Sequence, residues 1–392
     1  MTKAGAYRIA VLAALAFAGA PGCSGNATPT AGGTGGTGGT GGASGAPGFA
    51  GSAGCVGELD VGWWGSCVVK KDGTLWCWGR NNSSQIDATG ADVVQPVQVK
   101  GFADGVTSAS VGVDHSCAID GQGALWCWGN NAVGQLGDGT TASSAAPRRV
   151  ATLGKVHAVA VGWLSSCAID DGGALWCWGD NSVGSVGDGT TTDREAPVRV
   201  EALRGTVEQV SAGSCAVAAG GTVWCWGPNP YGFLGVPITD HGANGDDFTR
   251  SPARVGSLED VAEVSVPGST VCALKHDGTV WCWGQLQLGQ GSAVVLSVTP
   301  LQVTQLGSRV VRLATPCALK EDRTLWCWGD SDTPAQVADL GAHVVAVGSG
   351  SANCALTDDG TVWCWGRNDH GQLGNGTTTD SSLPVKVKLG CP

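Results

Sequence analysis

The chain has 392 residues, 65 of them glycine; only 14% are charged, and the net charge is −11. That acidic balance argues against nucleic acid as a partner, because phosphate binding needs a basic face. Beyond the amino-terminal segment no apolar run approaches the ~18 residues that a membrane span requires.

Residues 1–22 read as an export signal, with Lys3 and Arg8 as the positive start and Ile9 to Ala20 as the short apolar core. Two endings are open. Cleavage after Ala18-Gly19-Ala20 leaves a proline at the head of the mature chain. Alternatively, Ala20-Pro21-Gly22-Cys23 resembles a bacterial lipobox without its usual leucine, and makes Cys23 the site of lipidation. Residues 23–54 are mostly Gly, Thr, Ser, Ala and Pro, with Thr-Gly-Gly repeated through Thr34 to Gly42. So little apolar surface predicts a flexible tether. The remainder, 55–392, is expected to form one domain.

Trp-Cys-Trp-Gly occurs seven times in that domain, beginning at Trp76, Trp126, Trp176, Trp224, Trp281, Trp326 and Trp363. A second cysteine always stands ten positions upstream. The pairs are Cys67 with Cys77, Cys117 with Cys127, Cys167 with Cys177, Cys215 with Cys225, Cys272 with Cys282, Cys317 with Cys327, and Cys354 with Cys364. Folding Cys67 to Cys77 as a hairpin about Asp72 sets the two cysteines opposite each other, within disulfide reach. Zinc knuckles space their ligands two to four apart, so disulfides are the reading and no metal is expected. The residue after each midpoint is glycine (Gly73, Gly123, Gly173, Gly221, Gly278, Gly360), which suits the left-handed position of a three-residue turn. Arg323 breaks the rule, and its turn is expected to be strained or differently built.

In Leu75-Trp76-Cys77-Trp78 both tryptophans share one face and the cysteine takes the other, so both faces need cover. A Val/Ala strand ending in glycine (Val159 to Gly162) precedes each hairpin. A Gly-Gln-Leu-Gly-Asp-Gly-Thr-Thr loop and a Pro-x-x-Val strand follow it (Gly134 to Thr141, Pro147 to Val150). A short repeat with two faces to bury predicts an all-β fold, a seven-bladed propeller. Seven internal pairs leave Cys23, Cys55 and Cys391 of the seventeen cysteines. Aligned on the repeat, Cys55 and Cys391 fall at one position, where one blade runs into the next, and a Cys55–Cys391 bridge would staple the ring. The blades are unequal. The first replaces its Gly-Gln-Leu-Gly loop with Asn82 to Asp87, the fourth gains an insertion at 228–251, and the sixth is trimmed at Asp330 to Pro334.

Gly129-Asn-Asn-Ala-Val-Gly-Gln-Leu-Gly-Asp-Gly139 and Gly366-Arg-Asn-Asp-His-Gly-Gln-Leu-Gly-Asn-Gly376 resemble the repeat of the regulator of chromosome condensation family, with a weaker copy from Gly179 to Gly189. The resemblance implies seven blades, each sequence repeat shared between neighbours, and termini meeting inside one blade. The family's founder is a nuclear exchange factor for a small GTPase, and other members are secreted bacterial inhibitors. An export signal and paired cysteines point to a bacterial exported member outside the reducing cytosol, where an exchange factor meets no GTPase.

The fourteen repeat tryptophans read as core. Trp63, Trp64 and Trp163 lie instead in the loops after the Val/Ala strands and are candidate binding anchors, as are Asp114 and His115 in the same loop of the second blade. Tyr231 joins them from the insertion, which also holds His241, Asp246 and Asp247. His115-Ser116 reads as a hydrogen-bonded turn rather than a nucleophilic pair, and the six histidines have no ligand spacing. A sialidase reading fails for want of tyrosine, since Tyr231 is the single one left after export. In Asp188 to Asp193 the default is oxygens satisfying their own turn rather than calcium. The sequence thus predicts a monomeric, non-catalytic binding scaffold without cofactor, at the cell surface, in the periplasm or secreted. Its partner is a protein or glycan of the envelope or exterior, and the membrane is met only through Cys23. Alternatives are an inhibitor capping an envelope enzyme, an enzyme using the central channel or the 228–251 insertion, and an exchange-factor-like activity by family analogy.

Overall fold

The computed structural model describes residues 54–390, except 212, 213, 243, 244, 286, 287, 292–295, 330 and 331. Export signal, Cys23, tether and Cys391 lie outside the described residues. Seven antiparallel sheets follow one another along the chain, all but the fourth with their strands paired in sequence order. The first contains Val56–Val61, Gly65–Lys70, Leu75–Gly79 and Val93–Val99. The fourth carries an extra short strand, Asp240–His241, on its edge, paired with Asp247–Arg254.

The innermost strands are the Val/Ala runs: Val56–Val61, Val106–Val111, Val156–Val161, Val207–Ser211, Val261–Ser265, Val310–Ala314 and Val344–Ser349. Each packs on the next, and the last packs on the first, so the sheets close a seven-bladed ring.

Every Trp-Cys-Trp-Gly stretch is the third strand of a blade, and its cysteine lies directly opposite the upstream one. All seven expected hairpin disulfides are formed, with Cα atoms 4.0–4.1 Å apart. Cys67 joins Cys77, Cys117 joins Cys127, Cys167 joins Cys177 and Cys215 joins Cys225. In the last three blades Cys272 joins Cys282, Cys317 joins Cys327 and Cys354 joins Cys364. Cys55 is also a disulfide cysteine; the Cys391 expected to hold it lies outside the described residues. The turn glycines have φ between 69° and 82°, and Arg323 takes the same left-handed position at φ 64°.

The two tryptophans of each repeat have different surroundings. The second (Trp78, Trp128, Trp178, Trp226, Trp283) is fully buried, and its indole N–H donates to a carbonyl in the preceding blade's loop. Those acceptors are Gln372, Gln85, Gln135, Ser185 and Leu234, at 2.7–3.0 Å. The first tryptophan is only half-buried, which corrects the expectation that all fourteen are core. It stands at the hairpin end of its strand, beyond the reach of the neighbouring loop.

That loop is organised by one buried asparagine. Oδ1 of Asn81, Asn131, Asn181, Asn229 and Asn368 accepts the N–H five residues on at 2.8–2.9 Å. The first blade therefore keeps the loop's geometry although its sequence departs from Gly-Gln-Leu-Gly. Ile86 occupies the place of Leu136, and Ser84, at φ 57°, that of Gly134.

Since strands Val56–Val61 and Ser381–Lys386 belong to different, complete sheets, the termini meet between blades, not inside one. The expectation from the shared repeat fails because the described chain enters on an innermost strand and leaves on an outermost one. The seam is closed by ordinary interblade contacts, including the Trp78–Gln372 bond and Lys70 Nζ donating to the Leu389 carbonyl at 3.2 Å.

Candidate binding face and channel

Antiparallel strands in chain order send every loop between first and second strands, and every loop between third and fourth, to the same side of the ring. All the candidate anchors thus share one face. The hairpin turns, and the point where residue 54 enters, are on the other. Trp63 of the first blade and Trp163 of the third occupy equivalent slots, and their rings meet edge to face with centroids 5.3 Å apart. A Cβ on Gly268, in the fifth blade's loop, would lie 3.2 Å from the Trp63 ring. Trp63 therefore reaches across the mouth of the central channel.

Trp64 points to the seam. Arg367 lies over its ring at 4.6 Å and Arg80 at 6.0 Å, while His370 meets it edge-on at 5.4 Å. Each of the three has a carboxylate partner: Arg80–Asp114 at 3.7 Å, Arg367–Asp369 at 2.6 Å and His370–Asp92 at 2.7 Å. Asp114 thus joins the Trp64 cluster through Arg80.

His115 does not. It is fully buried, and its Nε2 stands 2.8 Å from Ser166 Oγ. That hydroxyl donates to the Gln135 carbonyl, so Nε2 is the donating nitrogen and Nδ1 is left bare. Burial pushes the imidazole down to about 3. Tyr231 is 70% exposed in a short turn of the fourth blade, at φ 60°, away from the tryptophans. Beside it His241 and Asp247 pair at 2.5 Å on the exposed extension. Asp188 is engaged by Thr190, Asn181 and Arg194. Among the described residues no three His, Cys, Asp or Glu side chains gather as a metal set.

The central channel was legible in the sequence, but the polar side chains that line it were not. Innermost strands are sheet edges with free N–H groups, and side chains of the preceding blade satisfy them. Asp60 accepts the Val111 N–H, Ser110 that of Val161, Ser211 that of Val266 and Ser265 that of Thr315, all at 2.8–3.2 Å. One layer deeper Glu58 accepts Ser108, Gln209 exchanges two bonds with Val264, and Glu263 accepts the Leu313 N–H. A cavity of about 160 Å³ results, lined by Asp60, Glu263, Arg312, Gln209, Ser211 and Trp63 among others. Desolvation pushes Asp60 and Glu263 up to about 7, and raises Glu58 well above the carboxylate range. The available signal was three acids interrupting otherwise small or apolar strands: Glu58 and Asp60 against Ala158 and Ala160, and Glu263 likewise.

Two models described as "Regulator of chromosome condensation (RCC1) repeat" match the chain: one at 72–119, 122–169, 172–219 and 359–390, the other at 58–85, 106–135, 156–185 and 343–372. Together they span 58–219 and 343–390, more than half of the sequence. No curated protein matches. Among solved structures, the chain is similar to human WBSCR16 at 23% identity and TM-score 0.57, covering 84% of this chain and 81% of that one. It is also similar to yeast RCC1 (Prp20), solved bound to Kap60, at 20% identity and TM-score 0.69, covering 80% and 83%. A second structure, of Prp20p from Saccharomyces cerevisiae, gives the same identity and TM-score, with 80% and 86% covered. Identities this low speak for the fold alone. The match at 72–119 runs from one blade's hairpin turn to the next blade's second strand, so the sequence repeat straddles two blades. With these repeats in phase around a closed ring, the chain belongs to the regulator of chromosome condensation (RCC1) repeat family.

Proposed function

We propose that the chain is an exported binding scaffold, tethered through its amino-terminal segment, whose loop-bearing face engages an envelope or extracellular partner. The observation that carries this reading is the segregation of anchors: Trp63, Trp64, Trp163 and the Arg80, Arg367 and His370 set all stand on one face. Residue 54 enters from the other, so a tether leaves that face pointing outward. Seven hairpin disulfides fit a compartment outside the reducing cytosol. A net charge of −11 favours basic or neutral partners. An inhibitor that caps an enzyme would be one form of this scaffold.

Support for an enzyme is thinner. A cavity of about 160 Å³ falls below the ~300–1,000 Å³ of ordinary ligand pockets, and His241 of the His241–Asp247 pair is exposed. Exchange-factor activity has fold likeness as its sole support.

The test is capture from the organism's own envelope with residues 55–392 as bait, beside two variants. Trp64→Ala should lose the captured partner, while Asp171→Ala, in a hairpin turn on the opposite face, should keep it. The reverse pattern would put the binding surface on the wrong side of the ring.

A further inference from the structure

We propose that the mouth of the central channel is a site for an alkylammonium or guanidinium head group, seated between the Trp63 ring and the Asp60 carboxylate. Asp60 is 8% exposed and lines the cavity, yet only its Oδ2 is engaged, by the Val111 N–H at 2.8 Å. Its second oxygen has no hydrogen bond among the described residues, and Asp60 has no ion-pair partner there. Arg312 lines the same cavity but belongs to the deeper layer, in register with Glu263, whose acidity it partly restores. No cation does this for Asp60. The mouth therefore combines an uncompensated carboxylate with an indole that borders the cavity and is braced edge-on by Trp163. An aromatic face beside a desolvated carboxylate is the chemistry that selects organic cations. Size narrows the choice. About 160 Å³ accommodates a charged head group and falls below the ~300–1,000 Å³ of pockets that enclose drug-sized ligands.

The inference deepens the loop-face reading by naming a chemical group that a partner would insert, but it has its own test. The indole N–H signals of Trp63 and Trp163, assigned by Trp63→Phe and Trp163→Phe, would be followed by NMR. The oxidised protein is titrated at about pH 8.5, where Asp60 is ionised, with ethylammonium or ethylguanidinium chloride, with sodium chloride and 1-propanol as controls. A saturable shift is expected for the two organic cations, with a dissociation constant on the order of 1–10 mM. Asp60→Asn keeps an acceptor for the Val111 N–H and should weaken binding at least tenfold. Shifts of the same size with sodium chloride or 1-propanol, no saturable shift, or full binding in Asp60→Asn would overturn the site. None of these would touch the loop-face reading, which stands on capture through Trp64. A blocked Gly-Lys-Gly peptide and free putrescine distinguish the source: tighter peptide binding identifies a partner's side chain, tighter putrescine a free amine, and either supports the head-group site.

Discussion

In the first, second, third and sixth blades the half-buried first tryptophan is held by two interchangeable sets of residues. In the first blade Asp72 accepts from the Thr74 N–H and hydroxyl, Thr74 accepts the Trp76 indole, and Lys70 Nζ lies 4.1 Å over the ring. The sixth blade repeats this with Asp322, Thr324, Trp326 and Lys320. In the second and third blades alanine replaces the threonine, and an aspartate takes the lysine's place. Asp120 and Asp170 then accept Trp126 and Trp176 directly at 2.8 Å. Arg323 is the strained residue of the series. A left-handed backbone costs a side-chain-bearing residue about 1–2 kcal/mol, while glycine gives back about 0.4–1 kcal/mol through unfolded-state entropy. The exposed Arg323–Asp358 contact at 3.3 Å is worth a few tenths at most. Arg323→Gly should therefore stabilise the oxidised protein by about 0.5 kcal/mol in urea titration. Gly221→Ala should do the opposite by more than ~2 kcal/mol, since φ is 69° and the added Cβ would sit 2.5 Å from the Val261 nitrogen. Equal effects at both positions would show that left-handed strain is not what distinguishes these turns.

At the scale of the element, the loop between third and fourth strands joins neighbouring blades, and its asparagine outweighs its glycines. Asn131 is fully buried, accepts the Leu136 N–H and donates to the Thr140 and Ala142 carbonyls. Asn131→Ala leaves the buried Leu136 N–H unpaired and unties the loop at the exposed Thr140 and Ala142, and should cost about 2–3 kcal/mol, against less than ~1 kcal/mol for the half-buried Asn130→Ala. Likewise Trp178→Phe removes the indole bond to Gln135 and should cost about 2 kcal/mol, several times the effect of Trp176→Phe. Comparable losses within either pair, measured by chemical denaturation, would refute this division of labour. Hairpins, disulfides and blade number were legible because a fixed ten-residue offset and a period-two strand leave one way to fold. The second tryptophan's interblade bond was not, because its acceptor is a backbone carbonyl that no side chain marks. The site was half legible. Trp63 and Trp163 stood out by their equivalent slots and do meet. His115 looked alike in sequence but faces Ser166 in the third blade rather than solvent, and Arg367 and His370, from the seventh blade, reach Trp64 only through ring closure.

For the whole molecule, the channel makes the ring an acid-stabilised structure. Asp60 and Glu263 sit near 7 in the fold and near their ordinary values of 3.8 and 4.5 once unfolded, so the native state binds more protons through the interval between. Stability is therefore fully present below about pH 4 as far as these groups are concerned, falls as pH rises towards 7, and levels off above it. The rise for Asp60 alone is on the order of 4 kcal/mol if fully expressed, and water entering the channel will reduce it. Glu58 adds in the same direction and stands next to Asp60, so two neighbouring charges must form together at high pH. Hairpin-turn carboxylates such as Asp120 and Asp170 are held below the ordinary range, their indole and backbone donors prevailing over desolvation, and they oppose the trend only below about pH 4. The expected profile has its maximum near pH 4–5 and declines by a few kcal/mol to pH 8, in urea titrations of oxidised protein. Asp60→Asn keeps the Val111 hydrogen bond without the charge, so it should flatten the decline and stabilise the ring at pH 8. A profile rising from pH 5 to 8, or an Asp60→Asn variant that declines as steeply as the parent, would mean that the channel carboxylates ionise as freely as surface ones.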